Sequence, residues 1–166
     1  TGAVPRWMLV TLLLPENKTT SDLINQIAQQ LSTACSSYEI SLIGGHTEIT
    51  TGLDRPIINT TMIGVVAKSD LIVPSGAKAG DELLLTQSIP IEGTAIIAQQ
   101  FDQKLSEILS PVELEEARKY LYSPGISVYQ AAQIAQQAGK IHAMHDPTEG
   151  GLAAALHEMA NASQKT

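Results

Sequence analysis

The stretch from His145 to Leu152, which reads His-Asp-Pro-Thr-Glu-Gly-Gly-Leu, constrains the fold of this chain more than any other feature. A short apolar run at 141–144 leads into Asp146, and a helix-compatible run with two glycines at its head follows. This order predicts a strand that gives way to a helix N-terminus, with the carboxylate at the junction. Such a junction attracts phosphate and can hold a metal ion that bridges to it.

A second segment, at residues 42–50, contains the same ingredients. An apolar run precedes the pair Gly44–Gly45, and Thr47 and Glu48 then add a hydroxyl and a carboxylate. We predict a short strand at 40–43, followed by a glycine loop whose backbone can face phosphates. Two loops of this kind in one chain suggest a magnesium–nucleotide site.

Together the two segments resemble the aminoimidazole ribonucleotide (AIR) synthetase superfamily. That group also contains selenophosphate synthetase, thiamine monophosphate kinase and a hydrogenase-maturation protein that dehydrates a carbamoylated thiol with ATP. The form Asp-Pro-Thr-x-Gly-Gly-Leu is most similar to the hydrogenase-maturation branch. The resemblance runs from Gly2 to the helix after Asp146, and it is more specific for the superfamily than for any substrate.

The resemblance implies an enzyme in which ATP drives the activation or phosphorylation of a carbonyl- or amide-type oxygen. It implies ATP and Mg²⁺ as cofactors, a small-molecule or protein-thiol substrate, and a homodimer formed through strands of the N-terminal domain. Asp146 and Glu48 match the family's metal ligands, whereas no catalytic residue is assigned. The residues that match its nucleotide contacts are Gly44, Gly45, His46, Thr47, Thr148, Gly150 and Gly151.

Two other classes of function stay open at this point. One is a nucleotide-binding or partner-binding protein without catalysis, and the other is a fragment that binds nothing. The chain starts at Thr1 without a methionine, and its opening resembles the middle of a family member. We therefore interpret it as a fragment, with the family's upstream glycine-rich and acidic segments expected before it.

A purely structural explanation competes for Asp146. Asp146, Pro147 and Glu149 would make a complete helix start, as N-cap, first residue and third residue. The same arrangement occurs at Ser110–Glu113, where nothing suggests chemistry. Capping does not explain the pair Gly150–Gly151, because each glycine disfavours a helix by about 1 kcal/mol relative to alanine. Glycines in a first turn are useful where a ligand must approach the backbone closely.

The histidines and the cysteine give weaker signals. His157–Glu158 is followed at position 161 by Asn161, so the zinc-protease helix pattern fails. His46 and His145 each flank a proposed phosphate loop, which makes polar contact with substrate an open alternative to an ordinary loop position. Cys35 is the single cysteine of the chain. An internal disulfide is therefore excluded, and a reducing cytosol fits.

Composition excludes two classes of partner. The net charge of −7 argues against binding to nucleic-acid phosphates. No apolar run reaches the roughly 18 residues that a membrane span needs. With 43% apolar residues, the chain has enough material for a core. We therefore expect a cytoplasmic protein without a nucleic-acid or membrane partner.

Periodicity and turn residues predict an α/β fold with a mixed or antiparallel sheet and helices on one face. Residues 1–68 would be the remainder of an N-terminal ATP-binding domain, and 69–166 the first part of a C-terminal domain, divided at a turn-rich stretch. An amphipathic helix at 20–36, capped by Thr19, follows the most apolar strand. The predicted strands are 7–14, 40–43, 57–67 and 82–86, and the predicted later helices are 92–101, with a possible extension to 108, then 111–122 and 127–138.

Overall fold

The computed structural model describes residues 1–165. Its contacts divide the chain into two compact units. The first unit is Ala3–Leu71, and the second is Ile72–Thr166 together with Thr1–Gly2. Position 166, the last of the predicted second domain, lies outside the described residues. Among those residues, no helix is both long enough and apolar enough to cross a membrane.

The first unit is built on a mixed sheet of three strands in the order β2-β1-β3. Strand β1 (Val4–Pro15) lies in the centre, parallel to β2 (Ser41–Thr50) and antiparallel to β3 (Ile57–Val65). The most apolar stretch of the sequence therefore pairs along both of its edges, and Leu14 is completely buried. The predicted mixed α/β architecture is confirmed.

Helix α1 (Ser21–Ser37) connects the parallel strands β1 and β2. Parallel neighbours need such a crossover, because a tight hairpin joins only antiparallel strands. The helix packs against one face of the sheet, as predicted, and covers part of that face. Its contribution to the core includes Cys35, which packs with Met8 and Val10 of β1. The cysteine is therefore a buried packing residue of this unit.

The start of α1 lies one residue later than the sequence predicted. Thr20 is the N-cap, and its hydroxyl oxygen accepts a hydrogen bond from the backbone N–H of Leu23 at 3.2 Å. The hydroxyl of Thr19 instead donates to the carbonyl oxygen of Pro15 at 2.7 Å. Thr19 is thus engaged with the end of β1, and the predicted cap at Thr19 was wrong.

Strand β2 runs straight through the glycine pair, so the predicted loop at Gly44–Gly45 was also wrong. The pairing of β1 with β2 shifts register between Met8 and Leu9, just before Gly44 and Gly45 pair with Leu9 and Val10. Gly45 has a φ of 147°, and a Cβ atom there would overlap the backbone of Val10. The glycine lets the two backbones approach closely at the bulge.

The second unit is mainly helical among its described residues. The capping box predicted at Ser110 is present: its hydroxyl accepts from the N–H of Glu113, whose carboxylate accepts from the N–H of Ser110. A π-helical turn follows at Leu121–Gly125, so the predicted helix 111–122 is shorter than expected. The helices are α2 (Ile91–Gln100), α3 (Asp102–Leu105), α4 (Pro111–Lys119), α5 (Tyr129–Ala138) and α6 (Gly151–Ala162).

Two predicted strands of the second unit are not strands. Residues 82–86 and 141–144 both have no regular secondary structure. A strand exists only where its backbone groups pair with a neighbour, and within the described part of this unit neither run does so. Leu84 is 85% exposed, which shows that the apolar character of the first run is not used for burial in this unit.

Because Gly45 lies so close to Val10, we predict that a side chain at position 45 lowers the free energy of unfolding. Gly45→Ala should destabilise the first unit clearly, because the added methyl group meets backbone atoms of Val10 that cannot move without breaking the strand pairing. Gly52→Ala is the matched control, since Gly52 also has a positive φ, 78°, but has no atom within 4 Å of its Cβ position. Chemical denaturation of both variants measures the difference. Equal losses of stability would contradict the close-approach explanation.

Candidate functional site

The segment between α5 and α6 carries Asp146, and two histidine–carboxylate contacts anchor it. Nδ1 of His142 lies 2.9 Å from Oδ1 of Asp81. Nε2 of His145 lies 2.6 Å from Oε2 of Glu158 on α6. The segment has no regular secondary structure of its own. These two contacts therefore hold the part of the segment next to Asp146 in position.

The contact with Asp81 is supported from the other side of that carboxylate. The backbone N–H of Lys78 donates to Oδ2 of Asp81 at 2.8 Å. This hydrogen bond is the main cause that holds the pKa of Asp81 below its ordinary value, and the contact with His142 adds to it. Gly76 lies so close to the carbonyl oxygen of His142 that a Cβ atom would overlap it. The start of the segment is thus packed against residues 76–81.

Asp146 is not the N-cap of α6, so the competing structural explanation for this residue fails. The helix starts at Gly151, and its N-cap is Gly150 with a left-handed φ of 79°. Gly151 has a φ of 62°, and its N–H closes a turn onto the carbonyl oxygen of Thr148 at 3.0 Å. A right-handed helix cannot run from Pro147 through two left-handed residues. Capping therefore does not explain the carboxylate.

The side chain of Asp146 is mostly open to solvent, with 69% of its surface exposed. Its Oδ1 lies 3.5 Å from Nδ1 of His145. A carboxylate presented in this way keeps coordination positions available for a cation. Beside it, Gly151 has no atom within 4 Å of its Cβ position, so space is also open at the turn that precedes α6.

His145 lies between two carboxylates, with only 21% of its side chain exposed. The hydrogen bond with Glu158 is the largest cause that raises the pKa of His145, and Asp146 acts in the same direction against the opposing effect of burial. From the sequence, His145 is expected only as a histidine beside the proposed phosphate loop. The sequence contains no sign of Glu158 as a partner, because that contact joins residues 13 apart across a turn.

The second candidate segment lies in the first unit, on strand β2. Here His46 and Glu48 occupy the same face, with Nε2 and Oε2 3.5 Å apart, and both side chains are exposed. The neighbouring positions Gly45 and Thr47 pair with Val10 and Leu12 of β1. A cleft of about 760 Å³ between α1 and β2 is lined in part by residues 42–47.

The residues of this chain fit a magnesium ion only if phosphate groups and water supply most of its ligands. Within residues 1–165, no group of three or more histidine, cysteine, aspartate or glutamate residues is arranged to hold a metal ion. Mg²⁺ in nucleotide sites is commonly bound through one or two carboxylates plus substrate phosphates and water. Asp146 has an exposed carboxylate of this kind, and Thr148 begins the turn that follows it. The residues therefore fit a metal ion that arrives with phosphate groups.

Family models match both parts of the chain. The N-terminal domain of AIR synthase related proteins matches residues 1–66, and the C-terminal domain matches residues 78–166. The chain belongs to the AIR synthase related family. The predicted resemblance is thereby confirmed.

Curated relatives come from several branches of the family. A putative hydrogenase expression/formation protein of Methanocaldococcus jannaschii is 28% identical over 98% of this chain and 45% of its own length. A selenide, water dikinase of Shewanella sp. (strain MR-7) is 32% identical over 99% of this chain and 43% of its own length. This chain thus spans less than half the length of these two relatives.

A solved structure of hydrogenase maturation protein HypE in complex with ATP has the same fold. Its TM-score is 0.77 at 25% identity, over 98% of this chain and 46% of that one. The match covers both units of the chain described above. It confirms the AIR synthetase-like fold class.

The left-handed backbone at Gly151 predicts that alanine is unfavourable there. Gly151→Ala should destabilise the unliganded protein by about 1 kcal/mol, because an L-residue pays that amount for left-handed dihedrals. Gly139→Ala is the matched control, since Gly139 is extended, with a φ of 179°, and has no atom within 4 Å of its Cβ position. Melting temperatures and ATP affinities of both variants give the answer. A loss of stability with unchanged ATP affinity would argue against close approach of phosphate at Gly151.

Proposed function

We propose that the intact protein is a Mg²⁺- and ATP-dependent enzyme that activates or phosphorylates a carbonyl- or amide-type oxygen. The observation that carries this proposal is the exposed carboxylate of Asp146, which does not cap α6 and precedes a left-handed glycine turn in which the Cβ position of Gly151 is open. Membership of the AIR synthase related family and the similarity to a protein solved with ATP support it. Asp146 is the proposed metal ligand in this unit.

The residues of the turn have distinct proposed roles. Bound Mg²⁺ would neutralise charge on the phosphate oxygens as a phosphoryl group moves. Asp146 would hold that ion, and the hydroxyl of Thr148 would contact a phosphate oxygen. Gly150 and Gly151 would allow the phosphates to approach the backbone, because a side chain at Gly151 would occupy space that is open in this structure.

The role that we propose for the segment on β2 differs from the phosphate-binding glycine loop that the sequence predicted. Gly45 already has a structural reason to be glycine, since it lies against Val10. Glu48 remains the proposed second metal ligand, and Gly44, Gly45, His46 and Thr47 remain proposed nucleotide contacts. Because β2 is a strand, His46 and Glu48 would act through side chains exposed on one sheet face. This differs from the cradle of backbone amides that the sequence predicted.

Three branches of the family compete for the substrate: the hydrogenase-maturation, selenophosphate synthetase-like and thiamine monophosphate kinase-like branches. The hydrogenase-maturation branch, with a protein thiol that carries a carbamoyl group, is favoured by the Asp-Pro-Thr-x-Gly-Gly-Leu motif and by the relative from M. jannaschii. The selenide, water dikinase of Shewanella, at 32% identity, favours a small-molecule substrate instead. ATP turnover by the intact protein, measured with selenide, with thiamine monophosphate and with a carbamoylated thiol peptide in turn, separates them. ATP binding without turnover on any of these substrates would favour a nucleotide-binding protein.

The boundaries and location of the protein are also proposals. We place the domain boundary between residues 68 and 69, close to the division at Leu71 and Ile72 and between the two family-model matches. We place the protein in the cytoplasm, because its single cysteine is a reduced, buried packing residue. Protease digestion at the boundary and cell fractionation test the two statements.

We further propose a homodimer through the sheet of the first unit. Helix α1 covers part of one face only, and several large apolar side chains on the strands stay exposed, among them Leu42, Ile49 and Met62, each at 50% or more. Exposed apolar surface of this kind marks an interface. Light scattering of the intact protein at micromolar concentration should give the mass of a dimer, and a monomer mass would contradict the proposal.

The role of Asp146 is tested by Asp146→Asn in the intact protein. We expect the affinity for ATP in the presence of magnesium to fall at least tenfold, or about 1.4 kcal/mol, because the amide cannot neutralise the ion. Glu149→Gln is the matched control, since Glu149 is a carboxylate of the same segment without a proposed ligand role. Calorimetry measures affinity, and thermal melting shows that the fold is kept. Unchanged affinity in Asp146→Asn would remove the metal-ligand assignment.

A further inference from the structure

Glu158 and His145 form a connection between helix α6 and the segment that carries Asp146. Glu158 lies on α6, and its carboxylate reaches back over the glycine turn to Nε2 of His145 at 2.6 Å. A hydrogen bond between an imidazole N–H and a carboxylate at this distance is short and charge-assisted. His145 is the most enclosed of the three side chains, with 21% exposure against 58% for Glu158 and 69% for Asp146.

The connection constrains both edges of the imidazole ring. With Nε2 held by Glu158, the ring has one favoured orientation, and Nδ1 then faces Oδ1 of Asp146 at 3.5 Å. The ring therefore limits the directions that the Asp146 carboxylate can take. Partners behind a metal ligand commonly fix its orientation in this way, and their loss typically lowers metal affinity 10- to 100-fold.

The segment needs such a constraint, because nothing in its own backbone supplies one. Residues 141–146 belong to no helix or strand, and the left-handed turn at Gly150 separates Asp146 from α6. The contact of His142 with Asp81 anchors only the start of the segment. A metal-binding side chain on an irregular segment must become ordered when the ion binds. This ordering lowers the affinity for the ion unless a neighbouring residue already holds the side chain in place.

We propose that Glu158 is a positioning residue for Asp146. Through His145, it fixes the carboxylate in the orientation in which Asp146 meets the magnesium ion that accompanies ATP. Neither Glu158 nor His145 contacts the ion in this arrangement. The inference rests on the proposed function in one respect, namely that Asp146 is a metal ligand.

The test compares Glu158→Ala and Glu158→Gln in the intact protein at one fixed pH. Calorimetry with ATP, with and without magnesium, gives the affinities, and ¹⁵N NMR reports on the ring nitrogens of His145. Glu158→Ala should lower the magnesium-dependent ATP affinity about tenfold. Glu158→Gln should recover most of it, because its side-chain carbonyl still accepts a hydrogen bond from Nε2–H. In Glu158→Ala, the Nε2 signal of His145 should also move away from its hydrogen-bonded position.

The matched control is His157→Ala. His157 neighbours Glu158 on α6, and its Nε2 lies 2.9 Å from the side-chain amide of Asn161, so the variant also removes an exposed histidine contact. It should leave the affinity for ATP with magnesium unchanged. If Glu158→Ala does not fold, Glu158→Asp replaces it, because the shorter side chain cannot span the same contact to His145. That variant should show the same loss of affinity.

The outcomes separate the inference from the function on which it rests. If Asp146→Asn weakens binding while Glu158→Ala does not, the proposed function stands and the positioning role is overturned. An unchanged His145 signal in Glu158→Ala would overturn it as well, since the hydrogen bond would not exist in solution. If Asp146→Asn itself leaves the affinity unchanged, the metal-ligand assignment fails, and the positioning role fails with it.

Discussion

The left-handed backbone at Gly150 and Gly151 determines how the second unit presents its candidate site. Because two successive residues leave the right-handed region, α6 cannot extend back to Pro147. The carboxylate of Asp146 is therefore not used as a cap, and it stays largely exposed. The turn also brings Glu158 within reach of His145, since α6 starts directly beyond it. A single backbone constraint thus produces both the open carboxylate and its neighbour.

The two glycine-containing segments look alike in sequence but have different physical reasons for their glycines. At Gly45, the reason is the backbone of Val10, which leaves no room for a Cβ atom on a bulged strand. At Gly151, no such neighbour exists, and the left-handed φ alone favours glycine. The Cβ position of Gly151 is open and compatible with a ligand, whereas the Cβ position of Gly45 is filled by the backbone of Val10. Gly151 is therefore the glycine for which the protein itself supplies no packing reason.

Sequence patterns predicted those parts of the fold that depend on local signals. The apolar run of β1, the periodicity of α1 and the capping box at Ser110 all specify their structure within a few residues. The errors lie where the deciding partner is distant or where the signal is a dihedral angle. Residues 82–86 have strand composition but no pairing partner among the described residues of their unit. After Asp146, the sequence is typical of a helix start, but the left-handed dihedral angles of Gly150 and Gly151 delay the helix. The candidate residues could be named from sequence, but the contact of Glu158 with His145 could not.

An irregular segment that is anchored by side-chain contacts can hold a metal-binding side chain in place without a helix or a strand. Here, side-chain contacts replace the backbone ladder: His142 meets Asp81 near the start of the segment, and His145 meets Glu158 next to Asp146. The first pair joins positions 61 residues apart and the second joins positions 13 residues apart, so both contacts depend on the folding of residues outside the segment. A carboxylate on a helix would have a fixed direction but would lie closer to helix backbone. A carboxylate on this segment keeps its exposure, and its direction then depends on the imidazole beside it.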